Sequence, residues 1–333
     1  VGMQLNVPLK IAGLGRYLPE RIVTNPELEA LYGLRPGWVE HHNGVRERRR
    51  ATTETNSSMG AAAATEALTA AGLQISDIDL ILNASGTAEQ AIPDTAALIQ
   101  RALGVGNSGI PCMSVHVTCL SFLAALDVCA SFLAAGRYRH ILVVSSEISS
   151  VGLNPNEPES ATLIGDAAAA AVITAAGAGE SSQLHHSLFR TYAEGADHTA
   201  VRGGGTRRHP NLPTTSPEDN YFHMDGGSVL RLVRTHVDGY LEELYPGLAT
   251  GLVDIDAVVP HQASKVGLRM LGRFGWPDDK VIRTLDWLGN CVAASVPATL
   301  YEGVVDGRIR RGDKVLLVGT GAGVSMGGLV LTY

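Results

Sequence analysis

The stretch Ser114-Val115-His116-Val117-Thr118-Cys119-Leu120-Ser121-Phe122 decides how the rest of this chain is interpreted. Up to Val117 the run is extended and apolar, which predicts a buried strand. Beyond Cys119 apolar residues recur at helical spacing, which predicts a largely buried helix. Its apolar residues are Leu120, Leu123, Ala124, Leu126, Val128, Phe132 and Leu133. We therefore expect Cys119 to lie at a strand-to-helix turn.

That position gives Cys119 two interpretations. The free amides and partial positive charge of a helix N-terminus favour a thiolate over a thiol, as a nucleophile requires. Cysteine is also among the most buried residue types, so Cys119 could simply pack in the core. The stretch by itself leaves both interpretations open.

Length and composition favour a layered α/β protein with two halves. The 333 residues exceed the size at which one hydrophobic core usually stops growing. Apolar residues make up 45% of the chain and charged residues 18%, which is typical of a folded protein with a sizeable core. Strands alternate with helices, which predicts mainly parallel sheets. The small residues of 175–180 suggest a boundary, so we assign residues 1–178 to an N-terminal half and 179–333 to a C-terminal half.

The charge pattern argues against a general nucleic-acid binder, because the net charge is −7. One local basic cluster stands out, and we expect it to be a solvated face. It consists of Arg46, Arg48, Arg49 and Arg50.

Membrane and disulfide signals are also weak. No apolar run reaches the ~18 residues that a membrane span requires. The residues from Val1 to Leu5 lack the charged and apolar regions of a signal peptide. The cysteines form no Cys-x-x-Cys pair, so we expect reduced thiols in a cytoplasmic protein. They are Cys112, Cys119, Cys129 and Cys291.

Three polar residues stand at strand ends or helix starts among small residues: Cys119, His261 and Asn290. Taken alone, His261 after the apolar run 258–260 is more often a core histidine, and Asn290 after Gly289 is more often a turn residue. In layered α/β folds, however, ligands meet the sheet at strand ends, so three such residues strengthen one another.

A cysteine, a histidine and an asparagine can together support acyl transfer. The thiolate attacks a thioester, while a neutral imidazole and the amide donate hydrogen bonds to the carbonyl of a second substrate. No metal is needed, and we expect none, because His41-His42 and His185-His186 are adjacent pairs that point to different sides of a strand. The segment Gly319–Gly323 lacks the Lys-Ser/Thr of a phosphate loop, but a backbone amide there could complete an oxyanion hole.

Several motifs follow one another in a specific order. They are Trp38 with Asn43–Arg49, Ile92–Ala97, Thr118–Phe122, Gly165-Asp166, His261–Ala263, Gly289-Asn290 with Ala293–Pro297, and Asp306–Ile309. Through them the chain resembles a ketoacyl-ACP synthase III, a condensing enzyme with a thiolase fold, from Leu9 to the C-terminus. The resemblance implies two related α/β halves in five layers (αβαβα) and a homodimer, which is also the commonest closed assembly.

The resemblance also implies roles for individual residues. Cys119 would be acylated by an acyl-CoA or acyl-carrier thioester, and its backbone amide and that of Ala322 would form the oxyanion hole. His261 and Asn290 would bind the thioester carbonyl of a malonyl-type extender. No separate cofactor is implied. The implied substrate contacts are Trp38, which would stack on the adenine of CoA, His42, Ile92, Phe222 and Thr320.

The chain departs from related enzymes at four positions. His42 stands where an arginine for the CoA phosphates is common. Thr320 stands at a position that is usually phenylalanine, and Met326 at one that is often tryptophan. Ile92 aligns with a larger residue that often closes the acyl pocket of the partner subunit, which hints at a starter larger than acetyl.

The expected reaction is a decarboxylative Claisen condensation that gives a 3-oxoacyl product, in fatty-acid biosynthesis or in a specialised pathway such as polyketide formation. One alternative keeps Cys119 but passes the acyl group to an alcohol or amine, or condenses two acyl-CoAs without decarboxylation. Another is a non-catalytic partner that only binds acyl thioesters. The implied partners are acyl-CoA and an acyl carrier protein, with neither nucleic acid nor membrane.

Overall fold

The computed structural model describes residues 3–252 and 254–333. Residues 1 and 2, which the sequence assigned to the N-terminal half, lie outside the described residues. The described strands are β1 (Met3–Val7), β2 (Leu9–Tyr17), β3 (Arg21–Thr24), β4 (Glu47–Arg50), β5 (Leu80–Asn83), β6 (Cys112–Ser114), β7 (His140–Glu147), β8 (Ala167–Ala175), β9 (Gln183–Thr191), β10 (Thr199–Ala200), β11 (His223–Met224), β12 (Ala257–Pro260), β13 (Lys314–Gly321) and β14 (Ser325–Thr332). The described α-helices are α1 (Asn25–Leu31), α2 (Trp38–Asn43), α3 (Asn56–Ala71), α4 (Thr95–Ala102), α5 (Ser121–Ala134), α6 (Pro158–Ala161), α7 (Gly226–Leu244), α8 (Lys265–Leu271), α9 (Leu285–Leu288) and α10 (Ser295–Val305).

Two five-stranded sheets dominate the described part of the chain, with the orders β2-β8-β7-β5-β6 and β1-β9-β14-β13-β12. Each is mixed, so the expectation of mainly parallel sheets is wrong. In the first sheet β8 runs antiparallel to both neighbours, while β5 is parallel to β6 and β7. In the second, β14 is antiparallel to both neighbours, and β12 is parallel to β13. The turn from β13 to β14 is short, and a short connection permits only antiparallel pairing.

Helices lie on both outer faces and between the sheets. Helices α3 and α4 cover the outer face of the first sheet through Met59, Ala63 and Ile99. Helix α7 covers the outer face of the second sheet through Val233 and Leu241. Between them, α5 and α10 pack against strands of both sheets in one continuous core. The order α, β, α, β, α confirms the predicted five-layer fold. A central layer between two sheets requires helices that are apolar on both faces, and the long apolar run of α5 meets this requirement.

The two halves repeat one detail at the start of their central helices. The Val117 N–H donates to Ser121 Oγ at 2.9 Å, and the Cys291 N–H donates to Ser295 Oγ at 3.0 Å. Cys119 and the segment after Asn290 therefore occupy equivalent turns. The boundary between residues 178 and 179 stays a proposal, since it falls between the end of β8 and the start of β9, and β1 joins the second sheet.

Two predicted strands are wrong in extent. The strand expected up to Val117 ends at Ser114. The apolar start of 281–284 also predicts a short strand, but this segment forms only a single bridge, from Val281 to Val258. In both places a side chain takes an N–H that a strand ladder would use. Ser121 Oγ accepts the N–H of Val117, and Gln262 Oε1 accepts the N–H of Thr284 at 3.0 Å.

The basic cluster is not a solvated face throughout, because Arg48 is 0% exposed. It lies in β4, and its guanidinium donates to Asn25 Oδ1 at 2.9 Å and to the Thr162 carbonyl at 2.7 Å. Burial lowers the pKa of Arg48 to about 10, so the group keeps its charge at neutral pH. The acceptors come from distant segments that the sequence could not bring together.

Packing of β2 against α3 provides a test of the fold. A Cβ at Gly15 would lie 2.1 Å from the carbonyl oxygen of Ala63, so we expect Gly15→Ala to force the two elements apart. The free energy of unfolding in urea should fall by about 1–3 kcal/mol. Gly239→Ala in α7 is the matched control, because its Cβ would meet no atom within 4 Å. This control should gain about 0.5–1 kcal/mol. Equal stability of Gly15→Ala and wild type would contradict the packing.

Candidate active site

Cys119 lies in a single 3₁₀ turn, Thr118–Leu120, immediately before α5. Thr118 adopts a φ of 48°, a left-handed conformation that is uncommon for a residue other than glycine. The Ser121 hydroxyl stabilises this turn, because it donates to the Thr118 carbonyl at 2.7 Å while accepting the Val117 N–H. The strained backbone is thus held by side-chain hydrogen bonds, as is typical of functional turns.

Strand β13 reaches this turn because two of its residues lack a side chain. A Cβ on Gly319 would lie 2.6 Å from the Cβ of His261, and one on Gly321 would lie 2.9 Å from Thr118 Oγ1. At the end of the strand, the backbone amide of Ala322 lies close enough to the sulfur of Cys119 to lower the pKa of the thiol, as does the amide of Cys119 itself. The two amides that the resemblance assigned to an oxyanion hole therefore both lie beside this sulfur atom.

The protonation state of Cys119 differs from the expectation. Burial is the largest influence and the nearby charge of Glu147 the second, and together they raise the pKa of the thiol to about 12. The two amides lower the pKa, but less. The predicted preference for a thiolate is therefore wrong for the free enzyme, because desolvation of the charged form outweighs the helix N-terminus.

His261 follows β12, where its N–H donates to the Val318 carbonyl at 2.8 Å. Its side chain is buried, and burial lowers the pKa to about 4, so the imidazole is neutral at pH 7. Nδ1 has no hydrogen-bond partner among the described residues. A neutral ring with an unengaged nitrogen can donate or accept a hydrogen bond from a ligand without a change in charge.

Asn290 follows Gly289, whose φ of 69° turns the chain into the site. Its N–H donates to the Leu163 carbonyl at 2.9 Å, and its side-chain Oδ1 accepts the Val292 N–H at 2.9 Å. Nδ2 donates to the Ala263 carbonyl at 3.2 Å, which ties Asn290 to the segment that carries His261. Because an amide nitrogen has two protons, one remains for a ligand.

Glu147, at the end of β7, is a buried carboxylate that the sequence analysis missed. It accepts the N–H of Gly86 at 2.5 Å and the N–H of Thr87 at 2.9 Å, and the backbone N–H of Ala293 lies close enough to lower its pKa. Burial raises its pKa to about 7 in spite of these bonds. Glu147 thus joins the loop after β5 to the turn that follows Asn290. A charged residue at the end of an otherwise apolar strand was the available signal.

One cavity of about 1730 Å³ connects Cys119, His261 and Asn290. It is larger than the ~300–1,000 Å³ of most ligand pockets. The predicted site residues that line it are Trp38, His42, Cys119, Phe222, His261, Asn290, Thr320 and Ala322. Ile92 does not line it and is 85% exposed, so its implied role in the pocket of a partner subunit stays a prediction.

Trp38 and His42 act as one surface. Both lie in α2, and their rings stack with centroids 4.1 Å apart and planes 20° apart. The Nδ1 of His42 lies 2.9 Å from the Trp38 carbonyl oxygen. His42 therefore covers one face of the indole, and both rings line the cavity.

Two negative findings concern the described residues alone. They contain no group of three or more His, Cys, Asp or Glu side chains that could hold a metal ion. None of their helices combines the length and apolar character needed to cross a membrane.

The raised pKa of Cys119 predicts how its reactivity depends on pH. Because only the thiolate is alkylated, the rate of modification by iodoacetamide should rise about tenfold per pH unit from pH 7 to pH 9 without a plateau. Peptide mass spectrometry of the modified protein measures the rate at each cysteine. Cys119→Ala is the control, since it should remove this adduct and leave that of half-buried Cys112. A plateau near pH 8.5, as for an ordinary thiol, would contradict the environment described here.

Comparison with known proteins agrees with this arrangement. Residues 113–193 match the family described as 3-oxoacyl-[acyl-carrier-protein (ACP)] synthase III, and residues 249–333 match its C-terminal part. A beta-ketoacyl-[acyl-carrier-protein] synthase III from Thiobacillus denitrificans is 34% identical over 326 residues, which cover 97% of this chain and 99% of that protein.

Solved structures with the same fold include two ketosynthases. The 3-oxoacyl-[acyl-carrier-protein] synthase III of Aquifex aeolicus VF5 has a TM-score of 0.86 at 28% identity, covering 98% of this chain and all of that one. The priming beta-ketosynthase of the R1128 polyketide biosynthetic pathway also has a TM-score of 0.86, at 26% identity, covering 100% of this chain and 98% of that one. The chain belongs to the 3-oxoacyl-[acyl-carrier-protein] synthase III family of acyl-transferring condensing enzymes.

Proposed function

We propose that this chain loads an acyl group onto Cys119 and condenses it with a malonyl-type thioester to give a 3-oxoacyl product. One observation carries the proposal: a cysteine, a neutral histidine and an asparagine amide line one cavity, and two backbone amides face the cysteine sulfur. These groups suit a reaction that forms an oxyanion and an enolate in turn.

In the first step, the sulfur of Cys119 attacks the carbonyl carbon of an acyl thioester. The amides of Cys119 and Ala322 stabilise the oxyanion that develops on the carbonyl oxygen. The new bond joins Sγ to the acyl carbon, the old carbon–sulfur bond breaks, and the proton of the thiol passes to the departing thiolate. Because the free thiol is protonated at neutral pH, this proton transfer accompanies the attack.

In the second step, the ring N–H of His261 and the free Nδ2 proton of Asn290 donate to the thioester carbonyl of the extender. The bond to the carboxylate carbon breaks, carbon dioxide leaves, and its electron pair forms an enolate. The enolate carbon then attacks the acyl group and releases Cys119 as a thiolate, which regains a proton from solvent. A neutral His261 suits this role. A positively charged imidazole would attract the carboxylate of the extender and oppose its loss as carbon dioxide, whereas a neutral donor does not.

The carriers of the two acyl groups follow from the same proposal. The stacked pair of Trp38 and His42 offers a flat surface for the adenine of an acyl-CoA donor. The name of the relatives includes an acyl carrier protein, and we assign such a carrier to the extender. We also propose a cytoplasmic homodimer without a separate cofactor, in which the exposed Ile92 enters the partner's acyl pocket.

Acylation of one residue tests the first step. Incubation with acyl-CoAs should give a single acyl adduct by intact mass, and Cys119→Ala should abolish it. Cys112→Ala is the matched control, because Cys112 is also half-buried but does not line the cavity. An adduct that survives Cys119→Ala would overturn the assignment of the nucleophile, and complete absence of adducts would favour a non-catalytic binding partner.

Release of carbon dioxide tests the second step. We expect His261→Ala and Asn290→Ala each to slow decarboxylation of a malonyl thioester by about 10²–10³-fold, the usual cost of losing a donor to an oxyanion. Acylation of Cys119 should persist in both variants, which separates the two steps. An acyl-enzyme that forms product without carbon dioxide release would instead indicate transfer to an alcohol or amine, or condensation of two acyl-CoAs.

A further inference from the structure

The cavity does not end at the catalytic residues. It continues into the core of the C-terminal half, between α7 and the outer face of the second sheet. We call this part the C-terminal arm and define it by Val233, Val237, Leu241, Phe274, Trp276 and Met326, all of which line the cavity. None of these residues has a role in the two steps described above.

The C-terminal arm offers apolar surface and little else. Its defining side chains are buried from bulk solvent, with Leu241 1% and Phe274 2% exposed. The indole N–H of Trp276 already donates to the Leu248 carbonyl at 2.9 Å. Tyr240, which also lines the cavity, donates its hydroxyl to the Leu188 carbonyl at 2.9 Å. A ligand in this arm would therefore meet methyl, methylene and aromatic groups, which suit an aliphatic chain.

The arm adjoins the catalytic residues at one cross-strand pair. Thr320 on β13 lies directly opposite Met326 on β14, and both line the cavity. Side chains directly opposite on one antiparallel pair share a face and border the same space. Thr320 and Met326 therefore border the cavity together where it passes from the catalytic residues into the arm.

The arm is too extensive for an ordinary packing defect. Protein interiors contain few voids larger than a water molecule. From Val233 to Leu241 the lining follows about two turns of α7, or roughly 12 Å, which is the reach of a medium-length acyl chain. Its lining is continuous with His261 in a single cavity.

We propose that the C-terminal arm is an acyl subsite that holds the aliphatic chain of a medium- or long-chain acyl thioester. The subsite rests on the proposed function, because it takes the reacting thioester to lie at Cys119, His261 and Asn290. The aliphatic chain can belong to the donor that acylates Cys119 or to the second thioester, and acylation experiments distinguish these two sources.

Val237→Phe is the variant that fills the arm. Alkyl-CoA thioethers from ethyl to tetradecyl are the probes, because they cannot transfer an acyl group and so report binding alone. In wild type, calorimetry should show Kd falling with each added methylene, by at most about fourfold. In Val237→Phe the affinity should stop rising once the alkyl chain is longer than a few carbons. Val305→Phe is the matched control, since Val305 is 65% exposed at the end of α10 and does not line the cavity.

A second variant controls for the possibility that Val237→Phe misfolds. Val237→Ala enlarges the arm without adding atoms, and it should extend the gain in affinity to longer chains. If the thioether series is the same in wild type, Val237→Phe and Val237→Ala, the subsite is excluded. The subsite is equally excluded if the affinity of Val305→Phe stops rising at the same short chain length as that of Val237→Phe.

Acylation experiments identify the source of the chain. If decanoyl-CoA no longer acylates Cys119 in Val237→Phe while acetyl-CoA still does, the arm holds the donor chain. If both adducts form but the acetyl-enzyme of this variant binds decyl-CoA thioether more weakly than wild-type acetyl-enzyme, the arm holds the chain of the second thioester. Absence of any adduct would count against the proposed function alone, because the thioether series would still report on the arm.

Discussion

The close approach of β13 to the turn of Cys119 is the contact on which the site depends. Gly319 and Gly321 leave no room for a Cβ, since one would lie 2.6 Å from His261 and the other 2.9 Å from Thr118. Any side chain at these positions would separate the strand, and with it the amide of Ala322, from the turn that carries Cys119. The contact also joins the two halves, because Cys119 comes from the first and His261 from the second.

Burial sets the electrostatics of the site. It keeps His261 neutral, keeps Cys119 protonated in the free enzyme and raises the pKa of Glu147 to about 7. A buried site stabilises none of these charges by itself, but its low dielectric strengthens the hydrogen bonds that would meet charge developing on a substrate. The C-terminal arm adds apolar lining, so the proposed chemistry would take place at the edge of a large apolar space.

Much of the fold could be predicted because local sequence and local structure agree. The apolar spacing after Cys119 predicted α5, which begins at Ser121. The three candidate residues could be singled out because each is a polar group at the end of an apolar run. Arg48 could not be assigned in this way, because its hydrogen-bond partners lie far along the chain and nothing near it in sequence distinguishes a buried charge from a solvated one. Glu147 stands at the end of an apolar strand and so carried the same signal as the three candidates, but its burial depends on a segment that is distant in the chain.

The sequence by itself determined the order of strands and helices, the related halves and the chemical types available for catalysis. These depend on side-chain periodicity and on residues whose spacing is local. Only the tertiary structure decided the mixed direction of the sheets, the protonation of Cys119 and the extent of the cavity. Each of these depends on how distant segments pack, because desolvation and empty space are properties of the assembled interior and of no single stretch.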